Sequence, residues 1–217
     1  MAGLHLPAGF RKGDTFGNLA SASHVLMAAI IIGGGPLQLI PAVRQRFPRF
    51  HHWLGRSYLL AAVLGALGGL VMVWTRGTVG NMVSYITISG DAVLILVCAP
   101  MVVRHAMARR IAAHRRWALR LFLVASAVWF FRVGLMAWVT LTGGVGIDFE
   151  SFTGPFLYCL GFAQYLLPLA MLQWYFRCAG PVGNGERFAF VGTLMVWTLV
   201  MCVGIFTATV GMWLPLM

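Results

Sequence analysis

Six long runs almost free of charge constrain this chain more than any other feature. They lie between Asp14 and Arg44, Arg56 and Arg76, Arg76 and Arg104, Arg120 and Asp148, Glu150 and Arg177, and from Arg187 onward. Only Asp91 interrupts the third and only Arg132 the fourth. About 20 apolar residues cross a bilayer as a helix. In hydrocarbon the backbone must satisfy its own hydrogen bonds, and the runs lack the alternation of barrel strands, so each predicts a helix. The fold class that follows is all-α, a polytopic membrane bundle of six transmembrane helices. Their approximate bounds are 18–43, 52–75, 82–105, 114–142, 153–177 and 188–214. A polar stub, 1–15, precedes one domain, 16–217, and the connections are too short to hold a soluble module. A secretory signal is not expected, because the first apolar run is too long and shows no clear cleavage site.

Composition agrees. Hydrophobic residues make up 60% of the chain and charged residues 10%, against roughly half and a quarter in soluble domains. The net charge of +11 would suggest nucleic acid in a soluble protein. Its placement says otherwise. Arg44, Arg46, Arg49 and Arg56 flank the first connection, six arginines from Arg104 to Arg120 flank the third, and Arg177 and Arg187 flank the fifth. Arg11, Lys12 and Arg76 are the bases of the opposite side, which also carries Asp14, Asp148 and Glu150. Positive residues favour the cytoplasm, so both termini are expected on the periplasmic side of a bacterial inner membrane. Trp53, Trp117 and Trp174 at one side, with Trp74, Trp138 and Trp213 at the other, fit the interfacial preference of tryptophan. The basic rim is expected to meet anionic lipid headgroups, and no nucleic-acid partner is expected.

Ionisable groups inside a membrane are costly and seek partners. Asp91 and Arg132 both fall roughly 14 Å from the outer ends of their helices. An Asp91–Arg132 ion pair is predicted, with His24 near enough to join it. It would act as a clamp on helix register or as a proton or quinone site. Ser84, Thr87, Asp91, Cys98 and His105 recur on one stripe of the third span, which should face inward. His114 and Arg132 are 18 residues apart, five turns of a straight helix, and so share a face. Ala61, Gly65 and Gly69 form a small-xxx-small step suited to close helix approach. Gly33 to Pro36 and Pro168 are expected to kink or loosen their helices.

At the inner rim, the second span opens with His51, His52, Trp53 and Arg56, and the fourth with His114, Arg115, Arg116, Trp117 and Arg120. Three readings stand side by side. The residues anchor helix ends at headgroups. Alternatively, His51 or His52 with His114 ligates one b-type haem from two diagonal helices, with Gly65 and Gly69 making room. A metal site at His105 or the histidine pair is the third, without a ligand spacing to support it. No phosphate loop, catalytic triad or zinc-protease helix occurs. Cys98, Cys159, Cys178 and Cys202 have no metal spacing, and the three that lie within spans read as small apolar residues.

The order Gly35-Pro36-Leu37-Gln38, His51-x-x-Leu54-Gly55-Arg56-x-Tyr58, His114-Arg115-Arg116-Trp117-x-x-Arg120 and Phe131-Arg132 resembles a bacterial family of predicted membrane proteins catalogued as domain of unknown function 2306. The resemblance covers roughly residues 20–140 and singles out His51 over His52. It implies a multi-helix membrane protein and supplies no activity. With no catalytic set, the expectation is an accessory or scaffold subunit of a larger respiratory or photosynthetic membrane complex, with a protein partner within the membrane. A b-type haem protein exchanging electrons with quinol, and a small transporter or lipid-handling protein, are the alternatives.

Overall fold

Prolines and one serine decide where the long apolar runs become separate helices. The computed structural model describes residues 15–214. Asp14, Arg11, Lys12 and most of the stub lie outside the described residues, as do the side chains of His24 and Trp213. Helix α1, Thr15–Leu39, continues unbroken through Gly33–Gly35 and Pro36. It stops at Leu39 because Ile40 precedes Pro41 and is held extended at φ −73°, ψ 116°. The connection expected between the first two spans is therefore helical almost throughout, in a short helix, α2, Pro41–Arg46, and in α3, Pro48–Arg76, which Pro48 opens. The chain divides into two compact units, Met1–Gly65 and Ala66–Met217.

In the first unit, the resembling motifs meet. Leu54 Cδ1 would lie 3.2 Å from a Cβ added at Gly34, and Gln38 Oε1 3.4 Å from one at Gly55. Gln38 Nε2 donates to the His51 carbonyl at 2.9 Å. The glycines are thus contact points that let α1 approach α3.

The second unit begins in α3 and continues with α4, Met82–Met107, α5, Ile111–Ala125, α6, Ala127–Thr142, α7, Pro155–Cys178, and α8, Asn184–Ala208, which ends in a π-helical turn, Thr209–Trp213. Asn81 caps α4 by accepting from the Val83 amide at 3.0 Å. Left-handed Gly143 ends α6. α7 runs through Pro168 without a break. The fourth expected span, 114–142, is two helices. Ser126 Oγ donates to the Phe122 carbonyl at 2.8 Å, competing with the helical ladder, and α5 and α6 meet there at 51°.

Tight contacts set the packing of this unit. A Cβ on Gly204 of α8 would overlap the Val133 carbonyl of α6. Val133, Ala137 and Ala208 are buried around that crossing, and Thr140 Oγ1 donates to Thr207 Oγ1 at 3.0 Å. Trp138 stacks on Phe156 at 4.4 Å. Among the described residues four helices are long and apolar enough to span a membrane, Pro48–Arg76, Met82–Met107, Pro155–Cys178 and Asn184–Gly211, and the bent α5–α6 pair counts as a fifth where its two halves are taken as one span. In α1 the fully described part, Leu26–Leu39, is apolar and shorter than a span. The described residues thus account for four to five of the six expected spans.

Candidate functional site

The inward stripe expected on the third span is present on α4. Thr87, Cys98 and Val102 are buried, and Ser84, Asp91 and His105 are half-buried. Opposite it, α7 presents Leu157, Gly161, Gln164 and Tyr165, all buried. The two helices touch through small residues. A Cβ on Gly161 would meet Thr87 Cγ2 at 3.0 Å, and one on Gly90 would meet the Tyr165 hydroxyl at 3.0 Å. Local bonds satisfy much of this seam. Thr87 Oγ1 donates to the Ser84 carbonyl at 3.1 Å and Gln164 Nε2 to the Gly161 carbonyl at 2.7 Å. At the end of the seam Asn81 Nδ2 donates to the Tyr158 hydroxyl at 2.7 Å. Asp91 Oδ1 is buried with no hydrogen-bond partner among the described residues. The seam brings a carboxyl, a phenol, a hydroxyl and an amide to one interface, and of these the carboxyl is the group able to exchange a proton near neutral pH.

The predicted Asp91–Arg132 pair does not form. The ion pair found among the described residues is Arg177 Nε to Glu186 Oε1, 2.7 Å. Asp91 belongs to the α4–α7 seam, whereas Arg132 is exposed. The reason is the bend at Ser126. Counting five straight turns from His114 to Arg132 assumes one continuous helix, and the 51° break discards that phase. His24 lies in α1, and its side chain is outside the described residues.

The small-residue step does not close on a neighbour within 4 Å at its two glycines. Ala61 is buried, but a Cβ added at Gly65 or Gly69 would meet nothing that near. The step that closes helices tightly is Gly204-x-x-x-Ala208, a signal of the same kind that went unread. Gln164 and Tyr165 were likewise missed, although Leu157, Gly161, Gln164 and Tyr165 have the spacing of a helical face.

The rim residues distribute between the units. In the first, His51 is half-buried and His52 exposed, with ring centroids 6.0 Å apart, and Arg56 lies 5.5 Å from the Trp53 ring centroid. In the second, His114 Nδ1 is 3.0 Å from the Val102 carbonyl, which ties α5 to α4 and leaves Nε2 outside that bond. Arg120 Nη2 donates to Gln173 Oε1 at 3.3 Å. Among the described residues, no group of three or more histidine, cysteine or acidic side chains is placed to hold a metal. Within the second unit, the helix ends near His114, Gln173 and Glu186 carry the arginines. The opposite ends meet the turn at Asp148, whose carboxylate accepts from Ser151 Oγ at 2.6 Å and from the Glu150 amide at 3.0 Å. These bonds hold the Asp148 carboxyl below the usual carboxylate range.

Long apolar helices, a polar interhelical seam and charge gathered at helix ends define a polytopic helical membrane protein. The chain belongs to the family described as Predicted membrane protein (DUF2306), whose model matches residues 21–153, from within α1 through the turn that follows α6. No curated protein and no solved structure is detectably similar to it.

Proposed function

We propose that this protein is a non-catalytic accessory or scaffold subunit of a larger complex, respiratory or photosynthetic in kind, in a bacterial inner membrane. It crosses six times, with α1 as the first span and both termini on the periplasmic side. The asymmetry of the second unit supports that orientation, since arginines collect at one set of helix ends and Asp148 and Glu150 at the other.

The observation that carries the reading is Arg132. It is exposed on α6, ten residues before the helix ends at Thr142, which is about 15 Å and near the middle of a hydrocarbon layer about 30 Å thick. No described acidic side chain pairs with it. A guanidinium on the outer surface of a bundle at that depth is costly unless a neighbouring helix supplies an anion or a hydrogen-bonding partner. A partner subunit with an acidic or amide side chain at that level satisfies it.

The test is size in a mild detergent after expression at native level. The wild-type protein should run as part of a larger assembly, and Arg132→Leu should release a folded monomer. A wild-type protein that is only a free monomer, or an assembly untouched by Arg132→Leu, would overturn the reading.

A further inference from the structure

At the arginine-bearing end of the second unit, two cations converge on one ring. Arg116 and Arg120, one turn apart on α5, place their Cζ atoms 5.3 and 5.6 Å from the centroid of Phe176 on α7. Arg120 Cζ also lies 4.8 Å from the Trp117 ring. Like charges at this spacing repel, and contact with a ring face compensates only in part, about 0.5–1 kcal/mol at an exposed site. The described acids give no relief. Glu186 is paired with Arg177, Asp91 belongs to the α4–α7 seam, and Asp148 and Glu150 belong to the turn beyond the far ends of α6 and α7.

The aromatic rings and Gln173 hold the two guanidinium planes while using few of their donors. One Arg120 amine donates to Gln173, out of the five N–H groups that a guanidinium carries. Planar forks of this kind match phosphate oxygens in pairs. Depth selects the source of the phosphate. Phe176 lies two residues from the end of α7 at Cys178, about 3 Å along the axis, which is the level of lipid headgroups. We propose that Arg116 and Arg120, steadied by Phe176, Trp117 and Gln173, form a binding site for the phosphate of an anionic lipid. This site is independent of the partner inferred at Arg132.

Native mass spectrometry of the full chain, titrated with phosphatidylglycerol, phosphatidylcholine or inorganic phosphate, tests the assignment. The wild type should retain phosphatidylglycerol in preference to phosphatidylcholine, and millimolar inorganic phosphate should not displace it. Arg116→Gln with Arg120→Gln should weaken retention by about tenfold or more. Arg109→Gln with Arg110→Gln, which removes the same charge from the neighbouring turn, should change it by less than about threefold. Arg116→Lys with Arg120→Lys keeps the charge but loses the fork, and should stay weakened by at least about threefold. Equal losses in the two glutamine pairs would reduce the effect to diffuse charge and overturn the site. So would full binding by the lysine pair, equal retention of phosphatidylcholine, or displacement by free phosphate.

Discussion

Replacing Gly204 by alanine tests the packing of the second unit at its tightest point. The new methyl carbon would overlap the Val133 carbonyl oxygen and lie 2.8 Å from Val133 Cγ1 and 2.9 Å from its carbonyl carbon. Carbon atoms pack at about 3.5–4.0 Å, so α8 must withdraw from α6 by about 1 Å or bend. Overpacking of this kind costs about 1–3 kcal/mol. Withdrawal also stretches the Thr140–Thr207 bond, worth about 0.6 kcal/mol between membrane helices. The better helix propensity of alanine returns about 0.5–1 kcal/mol. The net loss should be about 1–3 kcal/mol, read from reversible unfolding in mixed micelles followed by tryptophan fluorescence. Gly65→Ala and Gly69→Ala are the controls, because their methyl groups would meet nothing within 4 Å. They should be no less stable than the wild type, and gain up to about 1 kcal/mol from the helix propensity of alanine. A Gly204→Ala protein as stable as the wild type would refute the close crossing, and so would an equal loss in the two controls.

Five further outcomes are expected. Asp91→Asn and Arg132→Ala should act independently, adding to within about 0.5 kcal/mol in a double-mutant cycle of monomer unfolding, whereas a larger coupling energy would restore the ion pair. Asn81→Ala removes both the α4 cap and the bond to Tyr158, and should cost about 1–2 kcal/mol in the same assay, more than Tyr158→Phe. The turn at Asp148 should loosen in acid. Its native carboxyl is the stronger acid, so its contribution is complete above the unfolded value of about 3.9 and disappears as pH falls through the lower native value. Relative to the intrinsic rate at each pH, amide exchange of Glu150 and Ser151 should rise over that interval in the wild type and stay constant in Asp148→Asn. Finally, His114 serves as a tie to the Val102 carbonyl, so His114→Ala should lower stability by about 1 kcal/mol. Protein supplied with haem should show no Soret band, and a band lost in both His51→Ala and His114→Ala would establish the bis-imidazole alternative.

The candidate sites differ in how readable they were. The α4 stripe was legible because one unbroken helix carries Thr87, Asp91, Cys98 and His105, and helical phase survives over that length. The motif histidine His51 and its neighbours Leu54, Gly55 and Tyr58 were legible as a pattern. Their work in the first unit, packing on Gly34 and Gln38, was not, because it depends on which helix lies opposite. Arg132 was misplaced because equal depth in neighbouring spans does not fix which face a side chain takes, and the bend at Ser126 resets that face. A serine in a span is common and usually harmless. The side-chain bond to the Phe122 carbonyl accompanies the break, and threonines in α6 and α8 make the same bond without one.

Charge and hydropathy along the chain were enough to determine that this is a helical membrane protein and roughly where most of its long helices lie. Those properties follow from transfer energies summed residue by residue, which no fold can evade. Contacts between helices obey no such local rule, because lipid is as apolar as the side chains it competes with. The tertiary structure alone decided that Gly204 rather than Gly65 or Gly69 sits at a tight crossing. It alone decided that Asp91 belongs with Tyr165 while Arg132 is exposed, and that Arg116 and Arg120 share the ring of Phe176. Each of these depends on steric fit and on one 51° bend, quantities that exist only once the helices are in place.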